Sequence, residues 1–421
     1  MDCFQVAVIG GGPAGLSAAL AAAKEGVSVL LIEREERLGG ILKQCIHDGF
    51  GLVHFGEKLT GPEYAARFIS ALQDSGISVT TLTFVSRMQR TEAGFLLTLV
   101  SRNGIRTVRA KSIVLATGCR ERTSRQIGIH GRHCAGVLTA GSAQHYTNLL
   151  GKLPTKRCVI LGSGDIGLIM ARRLTLEGAT VCGVYEAKST PGGLMRNLEQ
   201  CLNDFGIPLY TGKTVTRVLG ESRMTGVEIC NVDAHMQPIS GTEQLVPCDA
   251  LILSVGLIPE NELAETLYVP LDGRTKGPIV DQNGQTMING VYSCGNALHV
   301  NDLVDYVSES GETAGAAAAR RALSISSQQR TLAVVTADST LLYVVPQRLE
   351  LQNISTPTVF FFRAVHDREA SQLTITLNDQ VIFAKRYSSL RPPEMERLAL
   401  DVSRIPITIG SKLIFSLSEV V

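Results

Sequence analysis

The strongest pattern along the chain is a short apolar run that ends in clustered glycines and resumes as a helix. Residues 4–9 are such a run, Gly10-Gly11-Gly12-Pro13-Ala14-Gly15 turns it, and residues 16–25 have helical composition. A second apolar run, 27–32, ends in Glu33. The unit recurs at 157–161, followed by Gly162-Ser163-Gly164-Asp165-Ile166-Gly167, a helix to about 176, and a run 180–185 ending in Glu186. Both copies read as βαβ openings, which predict parallel sheets with right-handed crossovers.

Between the copies, residues 62–75 read as a helix and 79–108 as antiparallel strands turning at Asn103-Gly104. After the second copy come a helix near 194–204 and the apolar run 250–256. Residues 290–297 then lead to an Ala-rich helix over about 307–323. Past the polar stretch 324–329 the period changes to two, as in Thr374-Ile375-Thr376-Leu377, and predicts a separate β domain over 331–421.

Composition narrows the function. Lys and Arg number 40 against 39 Asp and Glu, so no basic field favours a nucleic-acid partner. No run of about 18 apolar residues predicts a transmembrane segment, and the first residues carry no signal-peptide pattern, so a cytoplasmic protein is expected. The ten cysteines are scattered without a C-x-x-C pair, which argues against a metal site and for packing thiols.

A lone G-x-G-x-x-G says little, but here each copy follows a strand and opens a helix. Gly10, Gly12 and Gly15 can supply the tight turn, the close approach of a diphosphate, and helix–strand contact; Pro13 and Ala14 start the helix. The unpaired N–H groups of the helix start favour an anion. Glu33, about 20 residues on, can accept from both ribose hydroxyls. Gly162, Gly164 and Gly167, with Asp165 and Ile166 opening the helix, repeat this arrangement ahead of Glu186. A carboxylate there accepts from a free 2′-hydroxyl and repels a 2′-phosphate, which favours NAD(H) over NADP(H); Lys188 weakens that preference.

On these motifs residues 4–323 resemble the two-dinucleotide-binding-domain flavoproteins that include the pyridine nucleotide-disulfide oxidoreductases. Glu33-Arg34 followed by Gly39-Gly40 is similar to the family's E-x5-G-G element, Ala116-Thr117-Gly118 to its A-T-G crossover, and Ser254-Val255-Gly256 to its returning crossover. Gly295-Asn296 is similar to the segment whose Asp holds the flavin ribityl chain, with Asn in its place; an amide oxygen can still accept a ribityl hydroxyl. The resemblance implies an α/β fold of two Rossmann-like domains, the second inserted into the first, to which the period-two stretch adds the small β domain. It implies FAD in residues 1–150 and 251–326, and NAD(H) in 151–250. The disulfide-reducing members carry C-x4-C after the paired glycines, whereas this chain has Cys45 alone, so no dithiol relay is expected.

Within that family, residues 39–47, 59–64, 162–173 and 302–306 are similar to a flavoprotein subunit found in bacteria beside an anaerobic-type glycerol-3-phosphate dehydrogenase and a small Cys-rich protein. That resemblance implies two partners, a small Cys-rich protein and a second flavoprotein dehydrogenase subunit. The arrangement of the wider family implies that Lys43, Cys45, His47 and Asp302 flank the flavin, against ordinary roles as a solvated lysine, a buried thiol, a loop histidine and a helix cap. Three readings stand: an electron-transfer subunit, a stand-alone NADH oxidase or peroxidase using Cys45, and a cofactor-binding structural subunit.

Overall fold

The computed structural model describes residues 2–324, 330–352 and 357–420. It divides into two compact units, one of Met1–Cys119 with Pro259–Val421 and one of Arg120–Ile258. In the first, β1 (Asp2–Ile9), α1 (Pro13–Lys24) and β2 (Val29–Ile32) form the opening βαβ unit. There follow α2 (Gly61–Leu72), β3 (Ser78–Thr80), β4 (Thr83–Thr91), β5 (Gly94–Ser101) and β6 (Gly104–Leu115). β1 runs parallel to β2 and β6, and β3 parallel to β2. Covered on both faces, β2 and the ends of β1 and β6 are buried throughout, which is why they read as unbroken apolar runs. The antiparallel stretch therefore starts later than expected: Val79 pairs with Leu31 in the parallel sheet, and only β4, β5 and β6 alternate in direction. At α2, Thr60 and Glu63 make a reciprocal capping box, so the helix begins at Gly61.

The second unit repeats the motif with β7 (Val137–Thr139), β8 (Arg157–Leu161), α3 (Asp165–Leu176), β9 (Thr180–Glu186), β10 (Leu209–Thr211) and β11 (Ala250–Leu253). Its parallel sheet has the order β7-β11-β8-β9-β10. An antiparallel sheet of Lys213–Gly220, Met224–Asn231 and Gln244–Pro247 lies between β10 and β11 in the chain. The insertion is longer at both ends than the 151–250 read from the glycine turn. β7 adds to this sheet beside β11, and Arg122 N–H donates to Gly256 O at 3.0 Å, so 120–150 and 251–258 belong to the inserted unit.

Back in the first unit, β12 (Val291–Ser293) joins β6, and α4 (Val304–Leu323) lies along α1. The expected connector at 325–329 lies outside the described residues. Beyond it are β13 (Leu332–Ala337), β14 (Leu341–Val345), β15 (Arg348–Glu350), β16 (Thr358–Ala364), β17 (Ser371–Leu377), β18 (Gln380–Tyr387), β19 (Glu396–Leu400) and β20 (Lys412–Glu419). They make two sheets, β15-β13-β20-β17-β18 and β14-β16-β19. Inward residues such as Phe360, Phe362, Ile375, Leu413 and Phe415 form a core of their own. Arg330 pairs with buried Asp281, Arg363 with Asp302, and Arg397 with Glu309, which joins these sheets to the rest of the first unit. No helix among the described residues is long and apolar enough to cross a membrane.

Candidate cofactor sites

At Gly10 and Gly15 the nearest walls of the first glycine turn are backbone. A Cβ on Gly10, whose φ is +109°, would lie 2.2 Å from Ala116 O, and one on Gly15 would lie 1.7 Å from Gly10 O. Only glycine fits at either place. Gly39 N–H donates to Gly11 O at 2.8 Å, and a Cβ on Gly40 would lie 2.9 Å from Gly12 Cα, so the two glycine segments face each other without side chains between. α1 starts at Pro13 after the N-cap Gly12, with no side-chain cap and no acid in its first turn. Its unpaired N–H groups and positive dipole end are left for an anion, which is what a dinucleotide diphosphate presents. Ala14 packs close to Gly295, where a Cβ would come within 2.8 Å of Ala14 Cβ.

Glu33 is 7 % exposed and held in place from both sides. Its Oε2 accepts from Gly11 N–H at 2.6 Å and its Oε1 from Glu35 N–H at 2.8 Å. Glu186 is held the same way: Oε2 accepts from Ser163 N–H (3.0 Å) and Oγ–H (2.7 Å), and Oε1 from Lys188 N–H (3.0 Å). Each carboxylate thus spans its glycine turn and its own strand end, with lone pairs remaining for ribose hydroxyls. In the second turn a Cβ on Gly162 would meet Ser254 O at 2.0 Å, and one on Gly167 would meet Gly162 O at 2.8 Å. Gly164 caps α3 without a side-chain bond, and Ile166 is half-buried beside it. Asp165 accepts from Leu194 N–H (2.9 Å) and Asn197 Nδ2–H (2.6 Å), so its carboxylate is engaged within the fold.

The crossover motifs serve geometry as well. Thr117 Oγ1–H donates to Glu260 O at 2.6 Å, Gly118 O accepts from Glu260 N–H, and Arg34 pairs with the Glu260 carboxylate at 3.0 Å. Gly118 and Gly256 have φ of +74° and +100°. Asn296 is the one residue of Val291–His299 that is not buried. Its Oδ1 faces Asn301, accepting from the backbone N–H at 3.0 Å and from Nδ2–H at 3.3 Å. A backbone N–H only donates, so the amide orientation is fixed. This corrects the expectation that the oxygen waits for a ribityl hydroxyl: both its lone pairs are used, and the NH2 is what remains, with one hydrogen directed at Cys119 Sγ 3.6 Å away.

The four residues set beside the flavin on resemblance have separate surroundings. Lys43 pairs with Glu35 and donates to Arg37 O at 2.9 Å. Cys45 is 8 % exposed, donates to Ile41 O at 3.4 Å, and is pushed up to about 12 by burial. His47 contacts Asp48 O at 3.2 Å and lies 4.9 Å from the Phe50 ring. Asp302 pairs with Arg363 and accepts from Met395 N–H at 2.6 Å, both on the β sandwich side of the chain. Burial makes Cys45 a poor thiolate, and Asp302 ties its loop to the β sandwich. Among the described residues the ten cysteines form no disulfide and seven are buried, as packing thiols are. Asn301 and Arg363 escaped sequence reading because neither lies in a glycine motif.

Two Rossmann-like units with matched glycine turns and matched carboxylates define an oxidoreductase of the two-dinucleotide class. Residues 4–322 match the family model of the pyridine nucleotide-disulphide oxidoreductases, and the chain belongs to that family, whose members use FAD and NAD(P)H. It is 24 % identical over 321 residues to an opine oxidase subunit of Agrobacterium tumefaciens (strain Ach5), covering 71 % of this chain and 62 % of that protein. It is 28 % identical over 278 residues to hydrogen cyanide synthase subunit HcnB of Pseudomonas protegens (strain DSM 19095 / LMG 27888 / CFBP 6595 / CHA0), covering 62 % and 58 %. The chain thus spans about six tenths of the length of these curated relatives. In fold it is similar to the thioredoxin reductase of T. acidophilum, with a TM-score of 0.63 at 23 % identity, covering 77 % of this chain and 100 % of the other.

Proposed function

We propose that this chain is an FAD-dependent NAD(H) oxidoreductase that passes electrons between nicotinamide and flavin and on to a partner redox protein. The carrying observation is the pair of tight glycine turns, each with no side-chain cap at its helix start and a fixed carboxylate. Gly10, Gly12, Gly15, Glu33, Gly39, Gly40 and Asn296 hold FAD; Gly162, Gly164, Gly167 and Glu186 hold NAD(H). When bound, these cofactors supply the hydride exchange itself. The chain's own residues bind them, orient them and exclude water. The Glu186 carboxylate favours NAD(H), since a 2′-phosphate there meets a negative charge.

A subunit role follows from the electron exit. The chain has no dithiol beside Cys45 in sequence, and burial disfavours the thiolate that a stand-alone peroxidase would need. Two relatives carry the word subunit in their names, which supports an assembly. We place the chain in a cytoplasmic dehydrogenase complex that oxidises glycerol 3-phosphate or a related small hydroxy compound, beside a second flavoprotein and a small Cys-rich protein. The test is to express the chain alone and with those partners and to follow substrate-dependent NAD reduction. The expected result is turnover by the mixture only; an equal rate from the isolated chain defeats the subunit reading, and failure of NADH to bleach a bound flavin defeats the oxidoreductase reading.

A further inference from the structure

One arginine of the β sandwich makes several contacts with the loop that follows Asn296. Arg363 on β16 has a side chain 12 % exposed. Its guanidinium pairs with Asp302, donates to Val300 O at 3.4 Å and to Tyr343 OH at 2.9 Å, and also bonds Pro393 O. Asp302 in turn accepts from Met395 N–H. Residue 301, between these two anchors, is the one whose N–H and side chain grip Asn296 Oδ1. Asn301 Nδ2 also donates to His299 O at 2.9 Å, and the His299 ring lies 5.9 Å from Tyr343 and 5.4 Å from Phe361. The loop 299–302 is thereby held at each end by the sandwich and faces Asn296 in its middle.

We propose that Arg363 is a positioning residue for the flavin: by fixing residues 299–302 it sets, through Asn301, the amide orientation in which Asn296 offers its NH2 to the cofactor. This rests on the assignment of FAD to the Asn296 site. A flexible loop would let Asn296 sample both amide orientations; Nη2 of Arg363 holds the Val300 carbonyl and the Asp302 carboxylate together, while Nε and Nη1 anchor the guanidinium to Tyr343 and Pro393 of the sandwich. Another tie between the sandwich and the rest of the first unit, Arg397 with Glu309, joins α4 at a later turn and serves as the internal control.

The experiment uses full-length apoprotein and titrates FAD by quenching of its fluorescence, with thermal unfolding of the apoprotein and the flavin midpoint potential measured alongside. Arg363→Ala is expected to weaken FAD binding roughly tenfold, the size of one lost hydrogen bond from the Asn296 amide, and to shift the potential. Arg397→Ala is expected to lower apoprotein stability to a similar degree while keeping FAD affinity. Combined with Asn296→Ala, Arg363→Ala should add nothing further, because both act through one side chain. Should Arg363→Ala not fold, Arg363→Lys and Asp302→Asn carry the same comparison. Equal FAD affinity in the Arg363 and Arg397 variants, or additive losses with Asn296→Ala, overturns the proposal. Unchanged affinity in Asn296→Ala alone instead defeats the assignment of FAD to Asn296, and the proposal falls with it.

Discussion

Glu33 and Glu186 occupy equivalent places, yet the first is buried and the second half-exposed, and both are bound to the backbone of their glycine turns. On the proposed assignment, removing Glu186 takes away a ribose acceptor and a repulsive charge together. Glu186→Ala is therefore expected to slow flavin reduction by NADH and to narrow the NADH preference over NADPH, read as the ratio of stopped-flow rates; a wild-type ratio favouring NADPH would contradict the assignment. Cys45→Ser is expected to leave NADH-dependent bleaching nearly intact, because a buried thiol pushed up to about 12 offers no thiolate at neutral pH. Loss of bleaching with normal FAD content would revive the thiol reading. The glycines and carboxylates were legible because each constellation is local in sequence. The orientation of Asn296 was not, since it depends on Asn301 and, 61 positions past Asp302, on Arg363.

At the level of elements, α1 and α4 pack so closely that only small residues fit between them. A Cβ on Gly311 would lie 2.2 Å from Ala14 O, and one on Gly315 would lie 2.0 Å from Ala18 O. Ser17 Oγ–H bridges the same seam to Ser308 O at 2.9 Å. α1 carries the proposed diphosphate cradle at its start, so this seam also fixes the glycine turn. Gly315→Ala gains helix propensity of up to about 1 kcal/mol but must force two backbones apart, at a cost of about 1–3 kcal/mol or more. A lower unfolding temperature and weaker FAD retention on gel filtration are expected; a rise in both would show that the helices separate freely. The glycines four apart in an Ala-rich run were visible in the sequence, but their partner helix was not. For the same reason the parallel pairing of Val79 was missed: strand direction depends on a neighbour, Leu31, that periodicity does not name.

Across the whole first unit, one buried histidine links the sandwich core to the cofactor loop, and its protonation should be felt in global stability. His299 is 2 % exposed, and burial, reinforced by the Arg363 guanidinium, pushes it down from 6.5 to about 4. Tyr343 and Phe361 lie against its ring, and Asp302 pairs with the Arg363 guanidinium. In the unfolded chain His299 binds a proton below about pH 6.5, whereas the folded chain resists until about pH 4. The unfolded state thus holds more protons in that window, and stability falls as pH drops through it, by at most about 3 kcal/mol in all. Asp281 works against this: burial, only partly offset by Arg330, pushes it up to about 6, so the folded state holds the extra proton there and stability rises as pH drops. The bare pH profile sums opposing effects, so the informative quantity is the difference between wild type and His299→Gln. Chemical denaturation of both at pH 7.5 and pH 4.5 should show the variant losing less on acidification. An identical loss in the two proteins would mean that His299 gains its proton in the folded state without disturbing the sandwich, and that this contact does not carry the pH dependence.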